Sequence, residues 1–230
     1  MVLSATARRA VEAYGGAERW RAAQGAEGIV TVGGPLFWLK LRPPPPRIRM
    51  RVEFARPASR LDPVDRSGRV GLFDGDEARL EGDTGRVVTR RQDARSRFPR
   101  AVWDRLDLTY FLGYSIWNYF GLPALLLRDD IEWVEPRDGT LEPRFPPHLP
   151  THSARHQAMH FDRTTGLLRQ FDYVPEVVTS RWIAHVVEAH DSWDGIPYPS
   201  KRRVALRRPD GGPAPRSTAI RITVADWRLW

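Results

Sequence analysis

The chain contains no cysteine among its 230 residues. Disulfides, thiolate nucleophiles and cysteine metal sites are therefore excluded. Lysine is nearly absent too: only Lys40 and Lys201 occur among the 36 basic residues, and the rest are arginine. The arginines are spread from Arg8 to Arg228 among carboxylates and form no single stripe. The net charge of +8 therefore reflects a high arginine content throughout the chain and not a basic binding surface. We expect no nucleic-acid partner.

Several motifs that would identify an enzyme class are missing. The sequence has no phosphate loop, no dinucleotide fingerprint and no nucleophile elbow, and Ser153 lies in no GxSxG context. We therefore expect no cofactor and no redox or nucleotide chemistry. The N-terminal stretch MVLSATARRAVEAYGG lacks the apolar core of a secretory signal. From this we predict a cytoplasmic protein. Its length lies within the range of one large domain, so we expect a single domain over residues 1–230.

The longest apolar stretch runs from Trp103 to Leu127 and is rich in aromatic residues. Spacings of three and four residues place one apolar face along a helix, and apolar residues also fill much of its remaining circumference. A helix of this kind must be covered on several sides. Gly121 and Pro123 are predicted to end it. The length would also suit a membrane span, but Asp107 and Asn118 would be costly in hydrocarbon, so we predict a buried helix without stable membrane insertion.

Most of the remaining chain alternates between apolar and polar residues, as strands do. We predict an N-terminal helix, capped by Ser4 or Thr6, that continues to about Ala22 and is closed by Gly25. Turn residues at 74–75 and 83–85 predict short hairpins, and the prolines from Pro143 to Pro150 predict an irregular crossing. The predicted strands cover residues 37–42, 48–54, 70–73, 78–80, 87–88, 131–135, 156–161, 167–173, 182–189, 202–206 and 218–227. Long parallel crossovers are missing, so the sheet should be antiparallel.

These elements predict a mainly β (α+β) fold, in which a strongly curved antiparallel sheet wraps around the central aromatic helix. This order of elements resembles the LolA/LolB-like half-barrel of lipoprotein and lipid carriers. The runs YFLGYSIWNY (110–119), THS (151–153), GLLRQFDY (166–173) and Ala184-His185 are in turn similar to an uncharacterised family of bacterial proteins. That resemblance covers the chain from Tyr14 to Arg203. It implies the half-barrel architecture and no particular activity.

The central helix also carries the candidate ligand-binding residues. Pockets combine apolar walls with a few placed polar groups, and the helix offers both in one segment. The candidates are Tyr110, Tyr114, Trp117, Asn118 and Tyr119. The alternative is that the helix only fills the core of the sheet.

Four histidines at intervals of four suggest a metal site: His148, His152, His156 and His160. The surrounding prolines disfavour the helix that would align them. On an extended strand His156 and His160 would lie roughly 13 Å apart at about 3.3 Å per residue. Ligands would then have to converge from other strands, and we predict no metal.

A second histidine grouping suits acid and base chemistry better. His152, Asp172 and His185 lie on or beside predicted neighbouring strands. If their faces match, Asp172 would orient His185 as a catalytic pair, with His152 as a second proton carrier. The alternative is a structural hydrogen bond between buried polar groups.

Two functional hypotheses follow. The first is a cofactor-independent enzyme that binds an apolar or aromatic small molecule and uses acid/base catalysis, of the cyclase, isomerase or dehydratase type found in specialised metabolism. The second is a non-catalytic carrier of a lipid or another hydrophobic ligand. Both require a pocket, and they differ in the role of the histidines. The sequence gives no indication of the oligomeric state.

Overall fold

The computed structural model describes residues 3–230, in which all strands belong to one antiparallel sheet. Thirteen strands are found in this part of the chain. Their bounds are β1 Gly25–Gly33, β2 Ile48–Glu53, β3 Ala58–Asp62, β4 Val70–Asp74, β5 Glu77–Glu81, β6 Val87–Arg91, β7 Glu132–Arg137, β8 Thr140–Arg144, β9 Gln157–Phe161, β10 Leu168–Tyr173, β11 Ile183–Trp193, β12 Ile196–Leu206 and β13 Ile220–Leu229. The predicted antiparallel half-barrel is confirmed.

The topology places the chain's first and last strands together in the middle of the sheet. Strands β1 to β6 run outwards from the centre to one edge, and β7 to β13 run back from the other edge. The centre is closed by the antiparallel pairing of β1 with β13, in which Val30 faces Val224. The segment that joins the two edge strands, β6 and β7, must therefore cross the sheet. It carries the central helix.

Five α-helices lie in residues 3–230: α1 Ala5–Ala13, α2 Ala17–Ala22, α3 Pro35–Leu39, α4 Arg105–Phe120 and α5 Leu122–Leu126. A short 3₁₀ helix spans Ala94–Arg97. Within the described range, none of these helices has both the length and the apolar character needed to span a bilayer.

Helix α4 is the aromatic helix that the sequence predicts, and all its residues after Arg105 are buried. Its first turn is closed by a capping box, because Asp104 accepts from the backbone N–H of Asp107 and Asp107 accepts from that of Asp104, both at 2.9 Å. Gly121 ends it as expected, and α5 follows at once with Pro123 in its first turn. The polar Asp107 is buried at the N-terminus, where it also binds Arg91.

The helix is fastened to one half of the sheet. The Trp117 indole N–H donates to the carbonyl oxygens of Glu53 (2.7 Å) and Arg56 (3.1 Å), and the Ser59 hydroxyl donates to the carbonyl of Gly113 at 2.9 Å. Its backbone runs closest to β2, β3, β4 and β5. Its backbone lies farther from the central strands β1 and β13, and a groove lies between them and the helix.

Three expectations about local structure are corrected. The N-terminal helix is broken into α1 and α2, because Gly15 and Gly16 adopt φ values of 94° and 85°, a region that other residues disfavour. Gly25 begins β1 instead of closing a helix. Residues 37–42 are not a strand: Pro35 starts a one-turn helix whose Phe37 is buried, and this leaves Trp38 and Leu39 exposed.

The proline-rich crossing is only partly irregular. Pro143 lies within β8, opposite Trp133 of the edge strand β7. Proline lacks a backbone donor, so it is tolerated where the ladder is incomplete near an edge. The irregular segment begins after β8 and returns to the sheet at Gln157.

Candidate functional site

Two grooves lie beside helix α4 on the concave side of the sheet, and both are lined by Tyr119. The first, which we call the aliphatic groove, separates α4 from β1, β2 and β13. It holds about 350 Å³ of space, open mouth included, and much less is free in its interior. Its walls are Val30, Val32, Met50, Phe111, Leu112, Ser115, Ile116, Tyr119, Ile220 and Ile222.

The second, the aromatic groove, lies between the helices and the start of β12. It holds about 340 Å³, open mouth included, and here too much less is free in its interior. Aromatic and proline side chains dominate its walls, and Arg202 contributes the one charged group. The walls are Tyr14, Trp20, Tyr119, Phe120, Leu122, Pro123, Pro197, Tyr198, Pro199, Arg202 and Trp227.

Behind Tyr119 lies a chain of hydrogen-bonded aromatic groups, which we call the inner polar chain: Tyr114, His152, Tyr119, Tyr173 and His185. His152 is central to it. The Tyr114 hydroxyl lies 3.1 Å from His152 Nδ1, and the Tyr119 hydroxyl lies 2.9 Å from Nε2. The imidazole also stacks on Tyr173, with ring centroids 3.7 Å apart. Both ring nitrogens are thus partnered by phenols.

The chain continues from Tyr119 to His185. The Tyr119 and Tyr173 hydroxyls are 3.1 Å apart, and the Tyr173 hydroxyl lies 3.4 Å from His185 Nδ1. His185 Nε2 is buried and has no hydrogen-bond partner in the described part of the protein. A buried polar atom without a partner is unusual and requires an explanation.

Burial keeps the members of this chain uncharged. It lowers the pKa of His152 well below its usual 6.5, with a further contribution from the positive charge of Arg95. It also lowers the pKa of His185 well below 6.5, aided by Arg202 and His152. Conversely, burial raises the pKa of Tyr119 to about 12. At neutral pH the chain therefore consists of neutral donors and acceptors.

Two arginines lie beside this neutral chain: Arg95, which is paired with Glu176, acts on His152, and Arg202 acts on His185. The Arg202 side chain is almost wholly buried, with 4% exposed, and its guanidinium carbon lies 4.9 Å from the centre of the Tyr119 ring. Among residues 3–230 it has no carboxylate within 4.0 Å and no hydrogen-bond partner, and its guanidinium nitrogens are not among the fully enclosed unpartnered atoms, so they border the open space of the aromatic groove. A buried arginine is rare unless it is paired.

The predicted contact between Asp172 and His185 is wrong. Asp172 lies opposite Ala184 in the β10–β11 ladder, whereas His185 lies opposite Phe171. Directly opposed residues share a face of the sheet and adjacent ones do not, so the two side chains project from opposite faces. Asp172 Oδ2 instead contacts His160 Nε2 at 3.1 Å and Arg207 Nε at 2.7 Å. Within residues 3–230, no carboxylate binds His152 or His185.

The five candidate ligand-binding residues occupy different environments. Tyr119 lines both grooves, and Tyr114 reaches the inner polar chain. Tyr110 lines a separate open cleft on the surface. Trp117 faces the sheet, and Asn118 donates to the carbonyls of Tyr114 and Pro150. That these residues bind a ligand stays a prediction, in which Tyr119 has the strongest position.

The histidines at intervals of four contact four different groups. His148 binds Asp130, His152 binds the tyrosines, and His156 lies next to Ser153. His160 contacts Asp172. The extended and irregular backbone over this segment separates them, as the prolines indicate.

Sequence reasoning did not identify Arg202 or Tyr173 as site residues. The sequence does contain a signal for Arg202. On an extended strand it shares one face with Tyr198, Ser200 and Val204, and these residue types are typical of a face that is at least partly buried. Tyr173 lies on the face opposite Asp172. Its role depends on His152, which comes from an irregular loop, and no spacing rule locates such a partner.

Comparison with known proteins gives a fold but no family. No protein-family model matches the chain, and no curated protein matches it. Among solved structures, a DUF1329 family protein from Desulfovibrio piger aligns with a TM-score of 0.53 at 16% identity, over 98% of this chain and 92% of that one. A LolA superfamily protein from Nitrosomonas europaea aligns with a TM-score of 0.56 at 10% identity, over 100% and 94%.

A third similar structure is a putative outer membrane lipoprotein-sorting protein domain from Vibrio parahaemolyticus, with a TM-score of 0.50 at 10% identity. It covers 97% of this chain, and 90% of its own length is matched. At such low identity these alignments show a shared fold. They confirm the LolA-like half-barrel expected from the order of elements.

Proposed function

We propose that the protein is a non-catalytic carrier that holds a lipid or another hydrophobic ligand between helix α4 and the concave face of the sheet. The observation that carries this proposal is the aliphatic groove, whose walls are almost entirely apolar and whose position beside α4 follows from how the helix is attached. Ligand sites are typically concave and apolar with few polar groups. The similarity of the fold to LolA superfamily and lipoprotein-sorting proteins supports the same class of ligand.

The narrow interior of the groove indicates how such a ligand would enter. Side chains of α4 span the space to β1 and β13, so an acyl chain would take their place as they shift outwards. The fastening of α4 to β2–β5 leaves this side of the helix with fewer backbone contacts. We therefore expect the ligand to move side chains such as Phe111 and Ile116, while Trp117 keeps its hydrogen bonds.

The enzyme hypothesis depended on Asp172 acting on His185, and that contact is missing. The remaining groups of the inner polar chain are neutral tyrosines and histidines bonded to one another, with His185 Nε2 left without a partner. A positioned acid or base needs a pKa near the working pH, whereas burial moves those of His152 and His185 well below it. The carrier hypothesis accounts for the groove without requiring these groups to exchange protons.

The test is binding of the neutral fluorophore N-phenyl-1-naphthylamine to Ile222→Trp. Ile222 lines the aliphatic groove, and a larger side chain there would fill it. We expect at least about a tenfold loss of affinity, since filling the site removes most of the apolar contact area. The matched control is Thr223→Trp, one residue along the same strand and exposed on the other face.

Native mass spectrometry of protein purified from its own host complements this test. A carrier should retain an apolar molecule that is released on denaturation. If the fluorophore binds both variants as tightly as the original protein, or binds none of them, the groove is not a ligand site. Circular dichroism and urea unfolding of each variant verify that it is folded, and Ser115→Phe, from the helix side of the groove, provides a second obstruction.

A further inference from the structure

The charge of Arg202 is buried at the concave face without a counter-ion. Tyr14, Tyr119 and Tyr173 are the tyrosines whose electrostatic influence it feels, and burial raises the pKa of Tyr14 and Tyr119 to about 12, so both are neutral. The neighbouring histidines, His185 and His190, are uncharged at neutral pH because burial lowers their pKa. Arginine itself stays protonated in proteins. The nearest groups thus leave a full positive charge uncompensated.

An uncompensated buried charge is unfavourable unless something supplies its partner. Even half-buried arginines in this protein have one: Arg91 binds Asp104 and Asp107, and Arg207 binds the buried Asp172. Arg202 differs from them in lining a groove. An anion that enters this groove would therefore find a preformed cation.

His185 offers a second unsatisfied group nearby. In the sheet Arg202 lies opposite Val187, and His185 is two residues along that strand on the same face, so the two are diagonal neighbours. Such neighbours are about 7–8 Å apart between Cα atoms. Both also contact the ring of Tyr119. The unpartnered Nε2 of His185 thus belongs to a residue that neighbours the unpaired guanidinium of Arg202.

The inner polar chain can present that nitrogen as a donor. If the Tyr114 hydroxyl donates to His152 Nδ1, His152 Nε2–H donates to Tyr119, Tyr119 donates to Tyr173, and Tyr173 donates to His185 Nδ1. Neutral imidazole carries one proton, so His185 Nε2 then bears an N–H. An anion beside Arg202 favours this direction of the chain, because it places a positive hydrogen towards the negative charge.

We propose that the carrier's ligand is an anionic amphiphile, whose carboxylate or phosphate head binds Arg202 in the aromatic groove while its apolar tail extends beside Tyr119 into the aliphatic groove. This rests on the proposed function, and it adds the chemical class of the ligand. Tyr119 lines both grooves, which places head and tail sites next to each other. The guanidinium fork suits the paired oxygens of either head group.

The test compares three probes with the same chain, oleate, oleyl phosphate and oleyl alcohol, by isothermal titration calorimetry on delipidated protein. The original protein should bind the two anions more tightly than the alcohol. Arg202→Met should weaken anion binding roughly 10- to 100-fold, as expected for a hydrogen bond to a charged group, and weaken binding of the alcohol much less. Which anion binds better distinguishes a carboxylate from a phosphate ligand.

Lys201→Met is the matched control, because it removes one positive charge from the adjacent, exposed position on the other face. It should leave all three affinities unchanged. Arg202→Lys keeps the charge but loses the fork, so it should lie between the original protein and Arg202→Met. Equal losses for alcohol and anions in Arg202→Met would mean that Arg202 shapes the groove without binding a head group, and this would overturn the inference.

The stability of the ligand-free protein gives an independent readout. Removing an uncompensated buried charge should raise the urea midpoint in Arg202→Met, whereas removing a structural arginine would lower it. A lowered midpoint, or anion affinities that the substitution does not change, overturns the inference about Arg202. If oleyl alcohol still binds tightly in that case, the proposed carrier function is unaffected. Absence of binding for all three probes overturns both.

Discussion

At the residue scale, burial decides which groups of the site carry charge. His152 and His185 are almost fully enclosed, and each has phenols as its hydrogen-bond partners. A phenol does not stabilise imidazolium as a carboxylate would, so the folded protein favours the neutral ring. Arg202 cannot be neutralised in this way, so its positive charge remains beside the neutral chain.

The lowered pKa values predict a loss of stability on mild acidification. Because the folded-state pKa of His152 and His185 lies below the unfolded value of 6.5, the unfolded chain binds more protons as pH falls below 6.5. Stability should be constant above about pH 7 and decrease by about 1–1.5 kcal/mol per histidine at pH 5.5. Urea unfolding at pH 7.5 and 5.5 measures the difference.

The control is His148→Gln, since His148 is exposed and binds only Asp130. This variant should show the same acid sensitivity as the original protein. His152→Gln should be less stable at pH 7.5 and lose less on acidification. An unfolding midpoint that does not change between the two pH values would show that these histidines are not held neutral.

At the scale of elements, helix α4 combines firm attachment on one side with a groove on the other. The attachment consists of the hydrogen bonds from Trp117 to the carbonyls of Glu53 and Arg56, of the bond from the Ser59 hydroxyl to the Gly113 carbonyl, and of close packing on β4. Phe73 of β4 faces the helix at Gly113. The groove exists because these contacts hold the helix nearer to one half of the sheet.

Trp117→Ala tests the attachment. The indole is fully buried and its N–H binds two backbone carbonyls, so the change creates a cavity and removes both hydrogen bonds. We expect a loss of about 3–5 kcal/mol in the free energy of unfolding. Trp182→Ala, at a partly exposed position outside the core, should lose much less. Comparable losses in both would argue against the central position of α4.

Gly113→Ala tests the close approach of helix and sheet. A Cβ at this position would lie 2.4 Å from the Cβ of Phe73, so the two elements would have to separate. Overpacking of this kind costs about 1–3 kcal/mol. Gly33→Ala is the control, because a Cβ there meets nothing within 4 Å. Thermal unfolding compares them, and a Gly113→Ala variant as stable as the original protein would contradict the packing described.

At the scale of the whole molecule, the sheet depends on a pairing between distant parts of the chain. Strands β1 and β13 meet at its centre, although about 200 residues separate Val30 from Val224. Each half alone would be left with an open edge where these strands meet. Strand β13 also lines both grooves: Ile220 and Ile222 line the aliphatic groove, and Trp227 lines the aromatic groove.

Two proline substitutions compare the centre of the sheet with its edge. Thr223 pairs with both Thr31 and Lys201, so Thr223→Pro disturbs ladders on either side and should cost at least about 3 kcal/mol. Val88→Pro lies in the edge strand β6, where the side chain is 55% exposed, and should cost far less. Urea midpoints measure both. A larger loss for Val88→Pro would contradict the central role of the β1–β13 pairing.

The sequence by itself determined the elements whose physical causes are local. The alternation of apolar and polar residues located β2, β4 and β10, and the aromatic density of residues 103–127 located α4 together with its end at Gly121. Antiparallel pairing followed from short connections. The local exceptions also have local causes, since Gly15-Gly16 broke the first helix and Pro35 converted an apparent strand into α3.

Only the tertiary structure decided which polar groups meet. Asp172 and His185 lie on neighbouring strands, but the register between them, which spacing along the chain does not specify, puts them on opposite faces. His152 reaches the inner polar chain from an irregular loop, and Arg202 comes from a strand near the C-terminus. Contacts between distant segments depend on register and curvature, and for that reason the groove and its unpaired charge emerge only in the folded protein.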